Sequence, residues 1–78
     1  MTRLPRTSGR EVLRALQRGG FVFTHVRGSH HYLRKPDAAA LVVVPVHGNR
    51  DLPLGTMRSI LRQADMSVDE LVRLLRDS

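Results

Sequence analysis

The chain has 78 residues, 41% of them apolar, with thirteen basic and seven acidic side chains for a net charge of +6, and no cysteine. At about 1.5 kcal/mol of ordering entropy per residue, a chain this short folds only around one compact core, which argues against a second domain or a deep cofactor cleft. The missing cysteines exclude a disulfide scaffold, thiol catalysis and a Cys-based zinc site.

The longest apolar run, 38–46, is too short to cross a bilayer and contains Pro45. No long apolar stretch follows Arg3, Pro5 and Arg6, so no signal peptide is expected either, and the expectation is a soluble cytoplasmic chain. Twelve of the thirteen basic residues are arginine. Arginine grips phosphate through a planar fork, so the excess of positive charge points to a nucleic acid or an acidic protein as partner. The basic residues are spread along the whole chain, which argues against a membrane-surface helix.

Residues 1–7 show no period and are expected to be extended. Ser8 followed by Glu11 forms a capping box, Val12, Leu13 and Leu16 mark one apolar face, and Gly19-Gly20 stops the run, so the spacing predicts a helix over Gly9 to Arg18. Arg10, Arg14 and Arg18 fall on a second face, expected to be solvated. Phe21 to Val26 is β-branched and aromatic, Arg27-Gly28-Ser29 supplies a turn, and His31 to Arg34 resumes a strand that Lys35-Pro36-Asp37 breaks. Leu41 to Val44 is a third strand, ended by Pro45; it is apolar throughout and is expected to be the most enclosed of the three.

Residues 47–54 are expected to form a loop. Thr56 is expected to cap a second helix with Met57, Ile60, Leu61 and Ala64 inward and Arg58 and Arg62 outward. Ser67 and Glu70 form another capping box, opening a third helix that runs to Arg76 with Leu71, Val72, Leu74 and Leu75 inward. The order α-β-β-β-α-α predicts an α+β fold: a three-stranded antiparallel sheet with helices on one face. The chain is expected to be a single domain over 1–78, with a core at about 8–66 and an extra C-terminal helix at about 67–77.

A sheet covered on one face leaves the other open. Alternation on the second strand separates His30, Tyr32 and Arg34 from His31, Leu33 and Lys35. If Leu33 faces the helices, then His30, Tyr32 and Arg34 stand outward, an imidazole, a phenol and a guanidinium able to hold phosphate and move protons near neutral pH. If Tyr32 is the core residue, the faces swap. His30 and His31, as strand neighbours, point to opposite faces and cannot chelate together, and no HxH or HExxH spacing occurs, so no metal site is expected. His25 and His47 are read as surface or hydrogen-bonding residues.

Arg27-Gly28-Ser29-His30-His31 with Lys35-Pro36, then Val43-Val44-Pro45, His47, Asp51-Leu52-Pro53-Leu54-Gly55-Thr56 and Ile60-Leu61-Arg62-Gln63-Ala64, resembles the HicA family, the toxins of HicA-HicB toxin-antitoxin pairs. The resemblance runs from about Glu11 to Met66. It implies a fold like a double-stranded-RNA-binding domain and the activity of a metal-independent endoribonuclease that cuts mRNA and arrests growth. A HicB-type antitoxin would neutralise it, and no small-molecule cofactor is implied.

The resemblance places the essential histidine in the glycine-serine-histidine motif at His30, with His31 as runner-up. Arg27, Gly28, Ser29, Tyr32, Arg34 and Lys35 are the expected RNA contacts. A family glycine is replaced at Asp65, which is expected to end the second helix less cleanly.

RNA carries its own nucleophile, so such an enzyme needs in-line positioning, a base and charge stabilisation. His30 would be the base, Arg27, Arg34 or Lys35 would steady the phosphate, and Tyr32 and His31 both remain open as general acid. The alternative of another class is a non-catalytic module that grips duplex RNA by shape, needing basic residues but no reactive imidazole. An adaptor for an acidic protein would bind no RNA.

Overall fold

In the computed structural model, which describes residues 3–77, the elements are α1 (Gly9–Arg18), β1 (Val22–Arg27), β2 (His30–Arg34), β3 (Leu41–Pro45), α2 (Leu54–Ala64) and α3 (Val68–Arg76). The chain is α+β, with three helices and one antiparallel sheet of order β1-β2-β3. Met1, Thr2 and Ser78, which fall in the expected domain span, lie outside the described residues.

Local chemistry fixes most of the boundaries. Ser8 caps α1: its hydroxyl accepts from the Glu11 N–H (3.2 Å), while the Glu11 carboxylate accepts in return from the Ser8 N–H (3.3 Å). Ser67 and Glu70 repeat the arrangement at α3. Both boxes satisfy N–H groups that the first turn of a helix leaves without partners. Between β1 and β2, Gly28 takes φ +60 while Ser29 keeps a negative φ, the signature of a two-residue type II′ turn with glycine first.

Two expected boundaries are corrected. α2 starts at Leu54 rather than after Thr56, because Pro53 (φ −58) serves as its N-cap and no side chain caps the end. Proline's fixed φ suits a helix entry, so Gly55 and Thr56 already belong to the first turn. At the other end α2 stops cleanly. Asp65 adopts the left-handed conformation (φ 52), its N–H donates to the Arg62 carbonyl (3.2 Å), and the Met66 N–H donates to the Leu61 carbonyl (3.0 Å). This is a Schellman stop with aspartate in the place glycine usually takes.

The core lies between the helices and the inner face of β2 and β3. Leu33, Val42 and Val44 point into it and are fully buried, against Val12, Ala15 and Leu16 of α1 and Met57 and Ile60 of α2. Helix contacts with the sheet fall chiefly on β3, and α3 packs on α1 through buried Leu71. The third strand is the most enclosed, as its composition suggests; all six residues of β1 are exposed.

α1 enters so close to β3 that a methyl group at Gly9 would collide with the Pro45 carbonyl. Arg18, expected to be merely solvated, donates from Nε to the Leu74 carbonyl (2.8 Å) and so ties the end of α1 to the last turn of α3.

Candidate active site

The register of the sheet decides which side chains share the uncovered face. Directly paired residues of an antiparallel sheet stand on the same face. Leu33 pairs with Val42, and His31 with Val44, so Leu33 and His31 belong to the helix side. His30, Tyr32 and Arg34 therefore stand on the open side, across from Pro45, Val43 and Leu41. His30 is exposed, and neither of its ring nitrogens bonds another side chain or the backbone among the described residues.

Across β1, Arg27 pairs with His30, which puts a guanidinium and an imidazole in one cross-strand row at the hairpin tip. His25 pairs with Tyr32 in the next row. Their rings stack with centroids 4.4 Å apart and planes only 5° from parallel. These four residues form a two-by-two block on the open face. Arg34 shares that face but lies four residues along β2 from His30, about 13 Å away at strand spacing. From Gly19 to Pro36 the chain holds no acidic residue, so nothing in this hairpin repels phosphate.

Two of the expected RNA contacts form the turn itself: Gly28 is exposed at its first position, and the Ser29 carbonyl accepts from the Val46 N–H (2.8 Å). Lys35 stands apart. Its ammonium sits 5.5 Å from the centre of the Phe21 ring, at the far end of β2. His31 also stands apart from His30. Its Nδ1 lies 3.2 Å from the Ser29 carbonyl oxygen, which can only accept, so Nδ1 carries a proton, and its ring tilts against Phe23 at 6.0 Å on the helix side. A phosphate on the open face is out of its reach.

Sequence reasoning missed the place of His25. Simple alternation from Phe23, which faces the helix side opposite Leu33, would put His25 there too. A β-bulge between Phe23 and His25 shifts the register by one residue and turns His25 to the open face. Nothing in the residue types marks that bulge. His47 lines a separate hollow with Arg50, Asp51 and Thr56. Among the described residues no group of three or more His, Asp or Glu could hold a metal ion, and no helix is long and apolar enough to cross a membrane.

The described residues thus make an α+β domain whose uncovered sheet face carries Arg27, Arg34 and an imidazole without a hydrogen-bond partner. A family model described as the HicA toxin of bacterial toxin-antitoxin systems matches residues 9–66. That span takes in the sheet, α1 and α2 and covers well over half of the chain, so the chain belongs to the HicA toxin family. Membership implies an antitoxin as partner. No curated protein matches the chain at a significant level.

Proposed function

We propose that this protein is a metal-independent endoribonuclease that cuts mRNA in the cytoplasm and is held inactive by a HicB-type antitoxin. The observation that carries the reading is the exposed, unbonded His30 ring beside Arg27 on the open face. His30 acts as the general base on a ribose 2′-OH, Arg27 lies nearest to steady the phosphate, and Arg34 and the Gly28-Ser29 turn bind the strand further out. The products are a 2′,3′-cyclic phosphate and a 5′-hydroxyl. One base contributes about 10²–10⁴-fold, enough for an enzyme whose task is to deplete messages over a growth cycle. An acidic antitoxin surface laid over this basic face blocks RNA entry by charge and volume together.

Induced expression of wild type and His30→Ala, with circular dichroism on both purified proteins, tests the proposal. The expected result is growth arrest by wild type only, with both chains folded. A folded His30→Ala protein that still arrests growth refutes the assignment. Tight RNA binding without cleavage, unchanged in the variant, would replace the enzyme by a binding module.

A further inference from the structure

A base alone leaves the reaction half supplied, because the departing 5′-oxygen needs a proton. We propose that His25 is the general acid of this site, a reading that rests on the ribonuclease function above. The case starts from the bulge. By turning His25 to the open face it places a second imidazole one row from His30, as a diagonal cross-strand neighbour at about 7–8 Å. In-line displacement puts the entering and leaving oxygens on opposite sides of phosphorus. The two nitrogens that serve them must then stand apart by two hydrogen bonds plus the width of the phosphorus centre, on the order of 8 Å. Arg27, beside both rings on the same face, fills the position from which a guanidinium reaches the non-bridging oxygens.

The contacts around His25 leave one ring nitrogen open to the uncovered face. The Thr24 hydroxyl lies within hydrogen-bond distance of the Tyr32 carbonyl (3.1 Å). The same hydroxyl oxygen lies 3.0 Å from His25 Nδ1, so Nδ1 is engaged with Thr24 whichever of the two donates, and Nε2 is the ring nitrogen left open. The stack on Tyr32 holds the ring flat, so Nε2 is aimed by two independent contacts rather than by a free rotor. Positioning of a proton-transfer group by a third residue is the arrangement seen wherever an imidazole is asked to act in one direction.

The step balances as follows. His30 takes the proton of the 2′-OH, and the O2′–P bond forms. The P–O5′ bond breaks with its electron pair on O5′, and that oxygen takes the proton of His25 Nε2. His30 ends protonated and His25 neutral, and exchange with water restores both. The other groups open as general acid are placed less well. His31 is on the helix side, and the Tyr32 phenol belongs to the ring against which His25 is stacked.

The test uses the purified full chain and one RNA oligonucleotide, cut at a site first mapped with wild type. It is made in two forms: the natural linkage, and the same linkage with sulfur in place of the 5′-bridging oxygen. Sulfur leaves as a thiolate and needs no acid. His25→Gln is expected to lose about 10²-fold or more on the natural linkage and to stay within about threefold of wild type on the sulfur linkage. His30→Ala is expected to be crippled on both. If His25→Gln is unimpaired on the natural linkage, or loses equally on both, the assignment is overturned. It is overturned as well if the sulfur rescue appears in His47→Gln or Tyr32→Phe instead. A wild-type protein that cleaves neither form overturns the ribonuclease function, and this inference with it.

Discussion

At the β3 flank of the sheet, Val42 and Val44 are fully buried under α1 and α2, and the Val43 N–H donates to Gln63 Oε1 (2.9 Å), itself held by Ser59. At the β1 flank every residue is exposed, half-exposed valines and Phe23 included, and the strand carries a bulge. One strand, β2, runs between them and takes part in both: Leu33 belongs to the core, while His30 and Tyr32 belong to the open face. The difference separates two duties. The helix-backed flank supplies the burial on which a small chain depends, and the free hairpin displays polar side chains whose arrangement is fixed by register instead of by packing.

If that separation is real, substitutions on one strand should divide cleanly. Leu33→Ala removes a fully buried side chain and should lower the free energy of unfolding by about 2–5 kcal/mol in a denaturant titration. His30→Ala, three residues away, should change it by less than about 0.5 kcal/mol. A large loss at His30 would break the comparison, since it would mean that the open face carries part of the core.

Smaller effects sharpen the picture of the helix-backed side. Asp65 holds a left-handed conformation at the negative end of α2, and both features disfavour an aspartate there. Asp65→Gly should raise stability by about 1 kcal/mol, seen as a higher Tm. The smallest effect concerns Glu11, whose carboxyl is held below its ordinary range. The Ser8 N–H is the main cause, helped by the Thr7 and Ser8 hydroxyls. A depressed carboxylate contributes stability that is full above its unfolded value and is lost as pH falls through the lowered one. Glu11→Gln should therefore lower the neutral plateau of the stability-versus-pH curve slightly and flatten its acid side. An unchanged acid limb would show that the capping box contributes nothing through charge.

The elements that local chemistry dictates were legible in the residues. Ser8 with Glu11 and Ser67 with Glu70 mark helix starts because the partners are three residues apart, and Gly28 marks a turn because its φ is positive. Leu33 correctly indicated which face of β2 meets the helices, and with it the side on which His30 stands. What escaped were features decided at a distance or by a shift of one residue. Pro53 rather than Thr56 opens α2, and Asp65 accepts a conformation usually left to glycine because the Leu61 and Arg62 carbonyls reward it with two hydrogen bonds. The bulge at Thr24 reverses the face of His25, and no pattern of polar and apolar residues announces it. The contact of the Lys35 ammonium with the Phe21 ring likewise joins residues far apart in the chain, and nothing in their order announces it.

The tether from Val43 to Gln63 has a consequence for the protein at high concentration. With that donor occupied and Pro45 offering no N–H at all, Leu41 alone of the three outward-facing positions of β3 keeps a main-chain donor for a strand from another molecule. Fibrillar growth requires two receptive rims on every subunit. In this sheet the rim of β3 is the poorer of the two, and so it is the one that slows the growth of a filament.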